Sequence, residues 1–89
     1  MAKVSFTSAL QRFLPAPSAQ VEGATVGAAL AVVFASRPAL RGYVLDDQGA
    51  VRRHVAVYVN GRVVHDRVRL SDPVGPHDEI YVIQALSGG

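Results

Sequence analysis

The chain has 89 residues, 49% hydrophobic and 18% charged, which fits one ordinary globular domain and excludes a disordered or charge-rich solvating segment. It has no cysteine, so disulfide frameworks, thiolate metal sites, Fe–S clusters and cysteine nucleophiles are excluded, and a reducing, cytoplasmic location is expected. A formal net charge of +2 does not suggest nucleic-acid binding, and the longest apolar stretch, Ala28 to Ala35, is too short to span a membrane.

Lys3 to Leu10 alternates, with Val4 and Phe6 on one face and Ser5 and Thr7 on the other, the period of a half-buried strand. Leu14-Pro15-Ala16-Pro17 breaks regular structure, because proline lacks the amide donor a ladder needs. Ser18 to Glu22 is a second short strand, ended by Gly23 and placed to form an antiparallel hairpin with the first. Thr25 is a helix N-cap, and Val26, Ala29, Leu30, Val33 and Phe34 follow at helical spacing as one apolar stripe. Arg37-Pro38 stops that helix, since a residue before proline is pushed out of the helical region.

Pro38 to Leu45 is ambiguous, with a short second helical turn placing Leu40 and Val44 or Leu45 in the core. Asp46-Asp47-Gln48-Gly49 is a turn, without the spaced oxygen ligands of a calcium loop. Val51 to Val59 is expected as the central strand, with Val55, Val57 and Val59 on one face and His54, Ala56 and Tyr58 on the other. Asn60-Gly61 predicts a type I′ hairpin turn, with Arg62 to Val64 pairing back. A turn-rich stretch from Leu70 leads to the last strand, Glu79 to Gln84.

The order strand, strand, helix, strand, short strand, strand defines an α+β chain in a β-grasp arrangement. That means a mixed sheet of four to five strands with one main helix packed across it. Residues 1–84 form this domain and residues 85–89 a flexible C-terminal tail. Periodicity does not say which strands pair first with last.

Three groups of residues bear on chemistry. The end, Leu86-Ser87-Gly88-Gly89, is narrow enough to enter a slot, and the Gly89 α-carboxylate is its functional group. A functionless frayed terminus is the plain alternative. The histidines His54, His65 and His77 lack metal-ligand spacing and read as surface or turn residues, so no metal site is expected. Tyr58, Tyr81 and Ile83 would face outward from the sheet as an apolar docking patch. Arg52, Arg53, Arg62 and Arg67 could rim it, or simply form a solvated basic face.

Asp46-Asp47-Gln48-Gly49, Arg52-Arg53-His54-Val55 and Val59-Asn60-Gly61 together resemble the middle of the ubiquitin-like sulfur-carrier family. Asp78-Glu79-Ile80-Tyr81-Val82-Ile83 and Gly88-Gly89 resemble its closing strand and diglycine. The likeness runs from Val26 onward and is closest to the molybdopterin synthase small subunit or the cysteine-synthesis carrier branch. His77 stands where the family usually has glycine, and Gln84-Ala85 where it often has proline.

The resemblance implies that the first and last strands lie side by side and that the protein is a carrier rather than an enzyme. A ubiquitin-activating-type adenylyltransferase would use ATP and Mg²⁺ to adenylate Gly89, with Gly88 beside it. A persulfide or sulfide donor would convert the adenylate to a thiocarboxylate. The acceptor would be a synthase subunit, either the molybdopterin synthase large subunit or a cysteine synthase-like enzyme. Tyr58, Tyr81, Ile83, Leu86, Arg52 and Arg53 would serve partner docking, and no cofactor would be bound by the chain itself. Rival readings are a carrier for thiamine or tRNA thiolation, a modifier of protein lysines, and a passive module contacting RNA or an acidic partner through Arg52 and Arg53.

Overall fold

Alternation at the start of the chain becomes strand β1 (Ala2–Phe6), which pairs antiparallel with β2 (Ala19–Val21). The computed structural model describes residues 1–7 and 18–84. The expected proline turn and the tail with Leu86, Gly88 and Gly89 lie outside these described residues. Helices α1 (Val26–Ser36) and α2 (Pro38–Val44) follow, then β3 (Val55–Val59), β4 (Arg62–Val63) and β5 (Glu79–Gln84). The five strands form one mixed sheet in the order β2-β1-β5-β3-β4, with β1 and β5 parallel neighbours. This is the β-grasp arrangement.

Helix α1 starts where the Thr25 hydroxyl accepts the Ala28 amide at 3.1 Å. Two further first-turn amides, which no helix can satisfy internally, are taken up by a distant loop. The Val26 amide donates to the Asp72 carbonyl at 3.0 Å and the Gly27 amide to the Leu70 carbonyl at 2.9 Å. The predicted stripe of Val26, Ala29, Leu30, Val33 and Phe34 is the buried face of α1. It packs on Val4, Val57, Ile80 and Val82 of the sheet in one core. Arg37 leaves helical geometry at φ −136° and ψ 74°, and Pro38 opens α2. Leu40, Val44 and Leu45 are all buried, so the ambiguous segment is a core-plugging helix.

Gly23 is fixed by close approach rather than by backbone twist. A Cβ there would lie 2.7 Å from the Ala29 nitrogen, so the strand-to-helix crossing admits no side chain. At the β3–β4 turn Asn60 and Gly61 adopt φ 51° and 85°, as a type I′ turn requires.

Three expectations change. The strand predicted from Val51 begins only at Val55, because the Val55 amide closes a turn on the Arg52 carbonyl at 3.0 Å. Val51 forms a separate bridge with Leu45 and is buried there. The central strand is β5, not β3, since β5 bonds to β1 on one side and β3 on the other. Ser5, expected on the open face, is buried: its hydroxyl donates to Glu79 Oε2 at 3.1 Å and accepts from Ser18 Oγ at 3.2 Å. No helix among the described residues is long and apolar enough to cross a membrane.

Candidate functional site

Ile80 and Val82 of β5 point into the core, so Tyr81 and Ile83 point to the opposite face. The same parity on β3 buries Val55 and Val57 and turns Ala56 and Tyr58 outward. Register places Tyr58 opposite Tyr81 and Ala56 opposite Ile83, with Val63 of β4 opposite Tyr58. A row Val63–Tyr58–Tyr81 therefore crosses the outer face of the sheet. Tyr81 is 38% exposed and Val63 51%, which leaves apolar surface facing solvent.

A shallow concavity of about 390 Å³ is lined by Tyr58, Tyr81 and Ile83 together with Asn60, Gly61 and Glu79. Three of the predicted docking residues are thus brought together. Val63 was missed, though its signal was present: a two-residue turn at Asn60-Gly61 sets Val63 opposite Tyr58.

The arginines are placed differently. Arg52 Nε donates to the Gly42 carbonyl at 2.7 Å, and Arg52 lines a separate surface hollow with Tyr43 and His54. Arg53 is exposed in the turn before β3. Neither lines the tyrosine concavity. Both lie in the turn that leads into Val55, which pairs with Gln84, at the end of the sheet where β5 stops. Arg62 is exposed on β4. Arg67 does not rim the patch either; its Nη2 donates to the Arg52 carbonyl at 2.7 Å and the Val55 carbonyl at 2.9 Å, locking the turn that makes β3 start late.

The carboxylates act on backbone. Asp66 accepts the Arg69 and Val68 amides and the Ser71 hydroxyl, and these bonds, the Arg69 amide foremost, hold its pKa at about 2. Asp72 is lowered by the His65 and Asp66 amides, and Asp78 by the Gly75 amide and then the Asn60 side chain. The turn at His77 closes through the Asp78 carboxylate without positive φ at residue 77. His54 is half-buried, and His65 and His77 are exposed. Among the described residues no group of three His, Asp or Glu side chains could hold a metal ion.

A mixed five-stranded sheet crossed by a helix, with an apolar outer face and its middle strand running toward the C-terminus, defines a ubiquitin-like β-grasp domain. The chain belongs to the ThiS family, whose model matches residues 10–89. The resemblance read from the motifs, to the ubiquitin-like sulfur-carrier family, is therefore the right one. Small archaeal modifier protein 1 from Haloferax volcanii is similar at 26% identity and TM-score 0.81, covering 99% of this chain and 98% of that one. CysO in the Amycolatopsis orientalis BexX/CysO complex superposes at TM-score 0.83 with 23% identity over 100% of both chains. Mycobacterium tuberculosis CysO, an antigen, does so at 0.80 and 22%, covering 97% of this chain and 100% of that one. The last two likenesses speak for the fold. No curated protein matches the chain.

Proposed function

We propose that this protein carries sulfur on Gly89 and has no catalysis of its own. An activating enzyme with ATP and Mg²⁺ would let a Gly89 carboxylate oxygen attack the α-phosphorus, forming the acyl-adenylate and releasing pyrophosphate. Sulfide attack at the acyl carbon then expels AMP and leaves the thiocarboxylate. With a persulfide donor the first product is an acyl disulfide, and a second thiol cleaves its S–S bond to free the same thiocarboxylate. The sulfur passes to an acceptor held by a synthase subunit, with molybdopterin synthesis the first pathway to test and cysteine synthesis the next.

The observation that carries this reading is the ThiS-family match extending through Gly88 and Gly89. The paired Tyr58 and Tyr81, with Ile83, supply an apolar face suited to an enzyme that must grip the domain while working on its end. Arg52 and Arg53, in the turn that leads into Val55, the residue paired with Gln84, would meet acidic groups of the same partner. ATP–pyrophosphate exchange by the activating enzyme tests the first step. Exchange should require the intact chain and vanish when Gly89 is deleted; exchange that persists would show that Gly89 is not the acceptor.

The likeness to small archaeal modifier protein 1 favours a second reading, in which a lysine amine attacks the same adenylate and forms an isopeptide bond. Conjugates migrating above the free protein and resistant to thiols would distinguish it.

A further inference from the structure

Helix α1 has the sequence VGAALAVVFAS, in which Ser36 is the only polar side chain. A surface helix normally turns charged residues outward, and one that is apolar all round is ordinarily covered on every side. Here the core takes one stripe, and Ala28, Ala31, Val32 and Ala35 remain exposed, Val32 at 46%. Beside this face a groove of about 510 Å³ has Leu30, Phe34, Leu45 and Leu70 along its floor and Arg41 and Arg69 in its walls. Among the described residues no acidic side chain lines it. Among the described residues neither guanidinium has a hydrogen-bond or ion-pair partner.

We propose that this groove and the adjoining face of α1 dock a partner protein through a short acidic segment. An apolar side chain of that segment rests on the Leu30–Phe34–Leu45–Leu70 floor, and its flanking carboxylates meet Arg41 and Arg69. The charge of the groove selects the occupant: the guanidinium groups of Arg41 and Arg69 around an apolar floor match an apolar residue set between acids, and repel a basic peptide. The floor residues are themselves closed into the core, so the groove is a trough for side chains rather than a tunnel for an acyl chain. It lies across the sheet from Tyr58 and Tyr81. One protein can therefore hold the domain by its helix side while another works on the sheet face.

The test is NMR titration of the ¹⁵N-labelled protein with the synthetic peptide Asp-Glu-Leu-Phe-Asp-Glu and its neutral counterpart Asn-Gln-Leu-Phe-Asn-Gln. Shifts are expected at the amides of Gly27, Ala31, Ala35, Arg69 and Leu70, weakening with added salt. The neutral peptide should bind at least about tenfold more weakly, a difference of ~1.4 kcal/mol. The double variant Arg41→Glu, Arg69→Glu should lose binding with a native spectrum, and Arg41→Gln, Arg69→Gln serves if charge reversal disturbs folding. Absence of groove shifts at millimolar peptide, equal binding of the neutral peptide, or shifts centred on Tyr58 and Tyr81 would overturn the proposal. Groove shifts that grow with protein concentration alone would assign the surface to a second copy and overturn it too.

Discussion

The Asn60 side chain ties the β3–β4 turn to Asp78 at the entrance of β5: its Nδ2 donates to Asp78 Oδ1 at 2.7 Å. Its Oδ1 accepts the Glu79 amide at 2.9 Å. The Val-Asn-Gly and Asp-Glu motifs, far apart in sequence, are thus one structural unit. Asn60 also sits at φ 51°, which asparagine tolerates better than most residues. Asn60→Ala removes both bonds and strains the turn, so it should cost about 1–3 kcal/mol in urea unfolding. Asn60→Gly keeps the turn geometry and should cost less. Equal losses would mean that the side-chain bonds dominate and the backbone conformation contributes little.

Gly23→Ala forces a methyl group against the backbone of α1, 2.7 Å from the Ala29 nitrogen. Overpacking against backbone should destabilise by about 1–3 kcal/mol, read as a lower denaturation midpoint with an unchanged slope. Gly42→Ala is the control: it sits within α2 with nothing near its added Cβ, and should be neutral or slightly stabilising.

Docking and folding separate on the two faces of the sheet. Tyr81→Ala should leave stability nearly unchanged yet weaken binding to the activating enzyme, by 1–2 kcal/mol or roughly five- to thirtyfold by calorimetry. Val57→Asp, at a fully buried position, should unfold the domain through an unpaired core charge, at a cost of at least about 4 kcal/mol. Undiminished binding by Tyr81→Ala would remove the sheet face from the docking account.

Acid should destabilise the fold through Asp66, Asp72 and Asp78. Each has a pKa lower in the folded chain than in the unfolded one, so each adds stability that is complete above the unfolded carboxylate value of about 4. That stability is lost as pH falls through the folded values, about 2 for Asp66. The melting temperature should therefore fall between pH 4 and pH 2, and less so in Asp66→Asn relative to its own neutral-pH value. A pH-independent melting temperature across that window would contradict the backbone-capping role of these carboxylates.

Much of the fold is written in local pattern. The α1 stripe and its Thr25 cap, the Asn60-Gly61 turn and the span of β5 follow from periodicity and turn chemistry, which depend on neighbours in sequence. What escaped depends on distant partners. Nothing near Val51 announces that Arg67 will bond the carbonyls of Arg52 and Val55 and curl that segment out of the sheet. Alternation alone cannot rank β3 and β5, because both bury every second residue and only pairing decides which is central. The outer-face tyrosines were legible because parity fixes their side of the sheet. The separation of Arg52 from them was not, since it rests on the turn that delays the start of β3 and on a bond to Gly42.

The most direct measurement is the intact mass of the protein after incubation with its activating enzyme, ATP, Mg²⁺ and a sulfur donor. The account predicts a gain equal to one sulfur replacing one oxygen, located at Gly89 by fragmentation and absent when ATP is withheld. An unchanged mass in the presence of an enzyme that does catalyse pyrophosphate exchange, or sulfur found elsewhere in the chain, would contradict it.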